Sequence, residues 1–233
     1  MANSNIKEAA AANEQSLNKQ EAFFLNYRKQ ILAAVAVVVI AIAGFVAYTS
    51  FFAGPREEKA STALAKAQEA FGMGDYQKAL NGDKTQEGFL TVADNYSGTD
   101  AANLAELYAG LCYANLGKWA EAQKSLDAFS TEGDQMISPA SQAALGDAYA
   151  HLNQLDKAVD AFKKAADMAD SKAEDDTNNS LSPTFLIKAG EVLESQGKKD
   201  EALKIYQDIK KKYVNSMLVQ SAEIDKYIER ASN

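Results

Sequence analysis

"AELYAGLCYANLGKWAEAQKSLDAF" (residues 105–129) is followed by "SQAALGDAYAHLNQLDKAVDAFKKA" (141–165) and "FLIKAGEVLESQGKKDEALKIYQDI" (185–209), and the three stretches align without a gap. Gly110, Gly146 and Gly190 coincide, as do Ala122, Ala158 and Ala202, and four residues further on Leu126, Phe162 and Tyr206. The spacing between copies is 36 residues and then 44. No run of alternating β-branched residues interrupts the helical periodicity, so each stretch predicts two short helices joined by a tight turn. A small residue midway along the first helix admits the second helix closely, and the alanine opposite does the same in return. The large residue four positions on is expected to fill the groove between pairs. Gly117, Asn153 and Gly197 stand where the chain reverses, a position that needs the left-handed backbone region.

Working outward, "AFGMGDYQKAL" from Ala70 is a partial earlier copy, with Gly74, Tyr76 and Ala79 matching Gly117, Trp119 and Ala122. Its second helix is interrupted by "NGDKTQE" before "GFLTVADNY". After Asn215, "MLVQSAEIDKYIERAS" places Leu218, Ile224 and Ile228 to face inward while Glu223, Lys226 and Glu229 stay wet, as in a helix that seals the open end of a stack. "MADSKAEDDTNNSLSP" between the second and third copies lacks the ligand spacing of a calcium loop and reads as a polar connection.

Upstream, nothing charged lies between Lys29 and Arg56. The 22 residues from Ile31 to Phe52 would form a helix about 33 Å long, close to the hydrocarbon thickness of a bilayer. Twelve of them are Leu, Ile, Val or Phe, which together contribute roughly −4 to −7 kcal/mol toward insertion. A cleavable signal would have a shorter apolar core at the very start, and a core helix would not need the length. Phe23, Phe24 and Tyr27 before the run, and Tyr48, Phe51 and Phe52 at its end, fit two headgroup-level belts, and Gly54-Pro55 is expected to break the span. Lys7, Lys19, Arg28 and Lys29 precede the span, whereas Arg56, Lys59 and Lys66 follow it among acids, which favours an inside N-terminus. The predicted organisation is a cytoplasmic tail over residues 1–29, a transmembrane helix over 30–52 and a repeat region over 53–233. The small residues Ala36, Ala43, Gly44 and Ala47 offer a second contact surface or ordinary membrane composition.

After the span come 20 basic and 29 acidic residues, a balance of −9, which argues against nucleic acid as a partner. The triplet Lys210, Lys211 and Lys212 reads as a solvated helix end. One cysteine, Cys112, leaves no internal disulfide or Cys-based zinc cluster to build, and with the one histidine, His151, not an evident partner the thiol reads as core rather than nucleophile. "GMGDYQ" follows no strand and fails as a phosphate loop, and Glu57-Glu58 sits on an exposed face with no cleft implied. Neither an enzyme nor a cofactor is expected.

The repeated pattern from about Lys59 to Tyr213 resembles the tetratricopeptide repeat (TPR), a helix-turn-helix unit near 34 residues that stacks into a solenoid. It departs from that pattern in lacking the closing proline, in carrying Leu193 where an aromatic is common, and in its stretched period. The fold class expected is all-α: one transmembrane helix, then a TPR-like solenoid with a capping helix. The resemblance implies a concave face made by the first helices. In its register that face holds Leu104, Leu107, Leu111, Ala114 and Asn115, then Ala143, Asp147, Ala150 and His151, then Ile187, Glu191, Glu194 and Ser195. An apolar end and an acidic end would suit an extended hydrophobic segment; alternatively the leucines pack against a neighbouring helix.

The layout as a whole, with "ALAKAQEAFGMGDYQKAL", "GFLTVADNYSGT" and "AELYAGLCYANLGKWAEA", resembles the ancillary Sec translocon subunits of bacteria of the YfgM type. That resemblance implies a single-pass inner-membrane protein with periplasmic repeats. It would assist secreted chains leaving the Sec channel, alongside a membrane-anchored chaperone of prolyl isomerase type. A scaffold of another envelope complex, or a membrane-bound regulator, is the alternative.

Overall fold

In the computed structural model the backbone is described for residues 2–131 and 133–233, and the side chains from residue 23 onward, apart from 132. The side chains of Lys7 and Lys19, half of the charge count before the span, lie outside the described residues. The chain forms two compact units, Met1–Pro55 and Arg56–Asn233.

The first unit is α1 (Ala2–Tyr48) followed by a π-helical turn, Thr49–Ala53. Ile40 and Phe45 are 71% and 68% exposed, so the apolar run is not a core helix of this fold. Among the described residues it is the one helix long and apolar enough to cross a membrane. Phe23 packs on Phe24 and Tyr27 at one end of the run and Tyr48 on Phe52 at the other. The expected break at Gly54-Pro55 does not occur. Gly54 keeps helical angles (φ −59°, ψ −55°) and donates its N–H to the carbonyl of Thr49, five residues back. The wider π-helical turn takes up the place where proline interrupts the usual ladder.

The second unit contains α2 (Gly54–Gly72, from Arg56 on), α3 (Tyr76–Asn81), α4 (Phe89–Asn95), α5 (Asp100–Asn115), α6 (Trp119–Ala128), α7 (Ile137–His151), α8 (Leu155–Asp170), α9 (Ser182–Ser195), α10 (Lys199–Lys212), α11 (Met217–Gln220) and α12 (Glu223–Ser232). The pairs α5–α6, α7–α8 and α9–α10 are the three predicted hairpins, reversing at Gly117 (φ 71°), Asn153 (φ 58°) and Gly197 (φ 74°). Ala122, Ala158 and Ala202 are fully buried. A Cβ added to Gly110 would lie 2.6 Å from Leu126 Cγ, one on Gly146 2.8 Å from Phe162 Cε1, and one on Gly190 2.3 Å from Tyr206 Cε1. Each large residue therefore sits on the glycine of its own hairpin. The expectation that it fills the groove between pairs gives way to this closer contact, because only a missing Cβ leaves a side-chain-sized hole at the crossing.

The interrupted copy is built rather than frayed. Between α3 and α4, Gly82 and Glu87 form an antiparallel bridge, and Asp83 accepts from the N–H and hydroxyl of Thr85 and the N–H of Gln86. A Cβ on Gly88 would stand 2.2 Å from the nitrogen of Gly82, so the two backbones touch and glycine is required. Ala60, Leu64, Ala67 and Ala70 form one stripe of α2 and pack with α3, α4 and α5 in the first core cluster. At the other end Ile224 is fully buried, with Leu218 and Ile228 against the last core, as expected of a cap.

Arg56 and Glu57 tie the start of this unit to the α4–α5 turn. Arg56 donates to the carbonyls of Asn95 and Ser97, both at 3.1 Å. Glu57 accepts the N–H groups of Asp100 at 2.9 Å and Ala101 at 3.0 Å, while Thr99 accepts from Ala102. The first turn of α5 thus has its orphan donors satisfied partly from a distant helix. Glu57 is not the idle surface acid its neighbour Glu58 suggested. Glu57→Ala is expected to lower stability by about 1 kcal/mol, or about 2–4 °C in a thermal melt followed by circular dichroism, with Glu57→Gln less affected.

Candidate peptide groove

The first helices α5, α7 and α9 bring the predicted groove residues onto the array, though not all as binding surface. Leu107 and Ile187 are 7% and 8% exposed and belong to the core. Leu104 and Leu111 are half-buried against it. The leucines consequently follow the packing alternative, because α5 lies between the first and middle core clusters and its apolar side chains serve both. Asn115 is exposed and turns back to donate to the carbonyl of Leu111 at 2.8 Å. His151, exposed at the end of α7, stacks on Trp119 at the start of α6 with ring centroids 3.6 Å apart and planes 4° from parallel.

Two of the three acids of the face are hydrogen-bonded to bases. Asp147 accepts from Lys188 Nζ with both oxygens, at 2.8 and 2.7 Å. Arg230 of α12 donates to Glu194 from Nε and Nη2 and approaches Glu191 to 3.8 Å. The expected acidic end is therefore largely neutralised, three carboxylates against two bases. Lys188 and Arg230 were not anticipated, yet a register signal exists. Asp147 and Glu191 each follow a repeat glycine by one residue, and Lys188 precedes the next glycine by two. At the matching earlier positions stand Leu111 and Ala144, both packed on the middle core. One inter-unit contact is thus written first in apolar side chains and then in opposite charges.

Between α7 and α9 this leaves an open cleft of about 400 Å³. Phe162 forms its floor and Ala150, Leu155 and Val192 its apolar walls, with the Asp147–Lys188 pair, Glu191 and Ser195 at the rim. The Lys188 ammonium stands 5.5 Å from the Phe162 ring centroid. A larger hollow, about 660 Å³, lies between α6 and α8. Ser141, Gln142, Leu145 and Tyr149 of α7 also line it.

Cys112 is fully buried, and burial pushes its thiol up to about 12, which holds it in the unreactive form. Two of the three C-terminal lysines are engaged, Lys210 with Asp225 and Lys212 with Asp170, so that helix end is more than a solvated one. Among the described residues no three His, Cys, Asp or Glu side chains are grouped to hold a metal.

A family model described as tetratricopeptide repeat-like domain matches residues 21–222, taking in both the apolar helix and the repeats. Two crystal structures of nearly identical TPR-like repeats, assigned to a kinesin light chain of Podosopora anserina and differing from each other by one substitution, superpose with a TM-score of 0.53. They share 12% identity with this chain, over 76% of it and 94% of theirs, which is a likeness of fold alone. No curated protein matches the sequence. Arrays of stacked helical hairpins act as scaffolds for protein–protein interaction through their concave surface.

Proposed function

The chain belongs to the tetratricopeptide repeat-like domain family, and from that premise we propose that it is a non-enzymatic, membrane-anchored ancillary subunit of the Sec translocon. Its N-terminus lies in the cytoplasm, α1 crosses the bacterial inner membrane, and the repeats stand in the periplasm. There they hold unfolded secretory chains by protein–protein binding, beside a membrane-anchored chaperone of prolyl isomerase type. The observation that carries the reading is one polypeptide with an exposed apolar helix of membrane length and a repeat array whose concave face keeps an open, part-apolar cleft.

Supporting features are the acidic balance beyond the span, which disfavours nucleic acid, and the hydrogen bonds of Arg56 and Glu57 that tie the start of the repeat unit to the α4–α5 turn. No cofactor enters this role. Gentle solubilisation of membranes and retrieval of the tagged full chain is expected to bring Sec channel components and the chaperone with it. Recovery of a different envelope complex in their place would overturn the assignment. In whole cells, protease should reach the repeats once the outer barrier is opened; protection until the inner membrane is breached would reverse the orientation.

A further inference from the structure

The crevices between successive first helices repeat one register with different fillings. Between α5 and α7 the filling is apolar, with Leu111 and Ala144 on the middle core. Between α9 and α12 it is Tyr227, whose ring lies 5.4 Å from that of Tyr206 and carries Arg230 at 5.0 Å. The crevice between α7 and α9 stays open over the buried face of Phe162. Its rim also holds one carboxylate more than its bases neutralise. Asp147 is bound by Lys188, and Arg230 gives its hydrogen bonds to Glu194. Glu191 is left, among the described residues, with the 3.8 Å approach of Arg230 and a side chain 47% exposed.

We infer that this crevice takes a large aliphatic or aromatic side chain of an extended peptide that carries Lys or Arg two positions from it. The apolar side chain enters against the partly exposed Ala150, Leu155 and Val192, above the buried Phe162 ring, and displaces water from them. The cation meets Glu191, and side chains two apart on an extended strand share a face, so both contacts form together. An acidic neighbour would instead face Glu191 and Glu194. The inference rests on the reading of the concave face as a holder of unfolded chains, and it narrows that reading to one crevice and one side-chain chemistry.

The test uses the full chain in detergent micelles, with empty micelles subtracted, and short labelled peptides in a Gly/Ser background followed by fluorescence anisotropy. A Phe-x-Arg peptide is expected to bind at least about tenfold more tightly than Phe-x-Glu or Ala-x-Arg. Glu191→Lys should reverse the preference between Arg and Glu, and Ser195→Trp, at an exposed rim position, should weaken every peptide; unchanged thermal melts show that both variants fold. Equal affinity for the Arg and Glu peptides overturns the inference, as does binding indifferent to both substitutions or no binding of any peptide. None of these results touches retrieval with the Sec channel, so the crevice can fail while the broader role stands.

Discussion

Asp170→Ala is expected to lower the melting temperature by about 10 °C, from a loss of about 3–5 kcal/mol. The carboxylate, with a side chain 8% exposed, is the point where α8, α9 and α10 meet. It accepts from Ser182 Oγ at 2.5 Å, Tyr213 OH at 2.7 Å, Lys212 Nζ at 2.6 Å and the N–H of Asn178 at 2.8 Å. Ser182 and Tyr213 are themselves buried. Removing the acceptor strands the buried Tyr213 hydroxyl, leaves Ser182 only the Ala166 carbonyl at 3.0 Å and unpairs the half-exposed Lys212, and the penalty for a stranded buried partner exceeds the net worth of its bond. A control is at hand in Asp147→Ala. Its pair with Lys188 has side chains 41% and 40% exposed, so it should lose no more than about 1 kcal/mol. Circular dichroism melts of the two variants decide the matter, and equal small shifts would mean that the buried network is not what locks the last two hairpins.

Asp170 also gives the array a pH dependence of known sign. Burial pushes its pKa up, but the hydrogen bonds from Lys212, Ser182, Tyr213 and Asn178 outweigh it and hold the carboxyl below its ordinary range. A carboxyl depressed in the folded state adds stability that is fully present above the unfolded value of about 3.9 and lost as pH falls toward and through the lower folded value. The parent protein should therefore shed this contribution only in acid, and the melting gap between parent and Asp170→Ala should narrow there. A gap that stays constant down to that range would assign the effect to packing instead.

Gly190→Ala is expected to lower stability by about 2 kcal/mol, or about 4–8 °C, although alanine is ordinarily the better helix residue by about 1 kcal/mol. The sign reverses because the new methyl would lie 2.3, 2.6 and 2.7 Å from Cε1, Cζ and Oη of Tyr206, a fully buried ring with no space to retreat. The same change at Gly110 and Gly146 meets Leu126 at 2.6 Å and Phe162 at 2.8 Å, so Gly190 should be the most sensitive of the three. Gly72, with nothing within 4 Å of the added carbon, should accept alanine without loss. A Gly190→Ala melt at or above the parent would show that the hairpin crossing is looser than its geometry.

Much of this fold was legible because its determinants are local. Apolar periodicity, glycine or asparagine at the reversals and the register of Gly110, Gly146 and Gly190 each act within one hairpin, and a residue's neighbours along the chain are then its neighbours in space. The groove was legible only as a register. Which of its members bind and which are core depends on what packs against them from other hairpins, so Leu107 and Ile187 went inside while Glu191 stayed exposed, Asp147 half-buried and Glu194 mostly covered. Lys188 and Arg230, Arg56 and Glu57, and the Ser182–Asp170–Tyr213 network all join residues 12 to 44 positions apart.

By itself the sequence determined three things about this protein: an uncharged apolar rod as long as a bilayer is thick, hairpins that reverse where the backbone must turn left-handed, and a small residue at a fixed register in each helix of a hairpin. All three are properties of a segment and its immediate solvent or partner helix. Only the tertiary structure decided which crevice stays open and where charge is neutralised. Those outcomes depend on the order in which hairpins stack, and a side chain's electrostatic partner is chosen by the helix that arrives beside it.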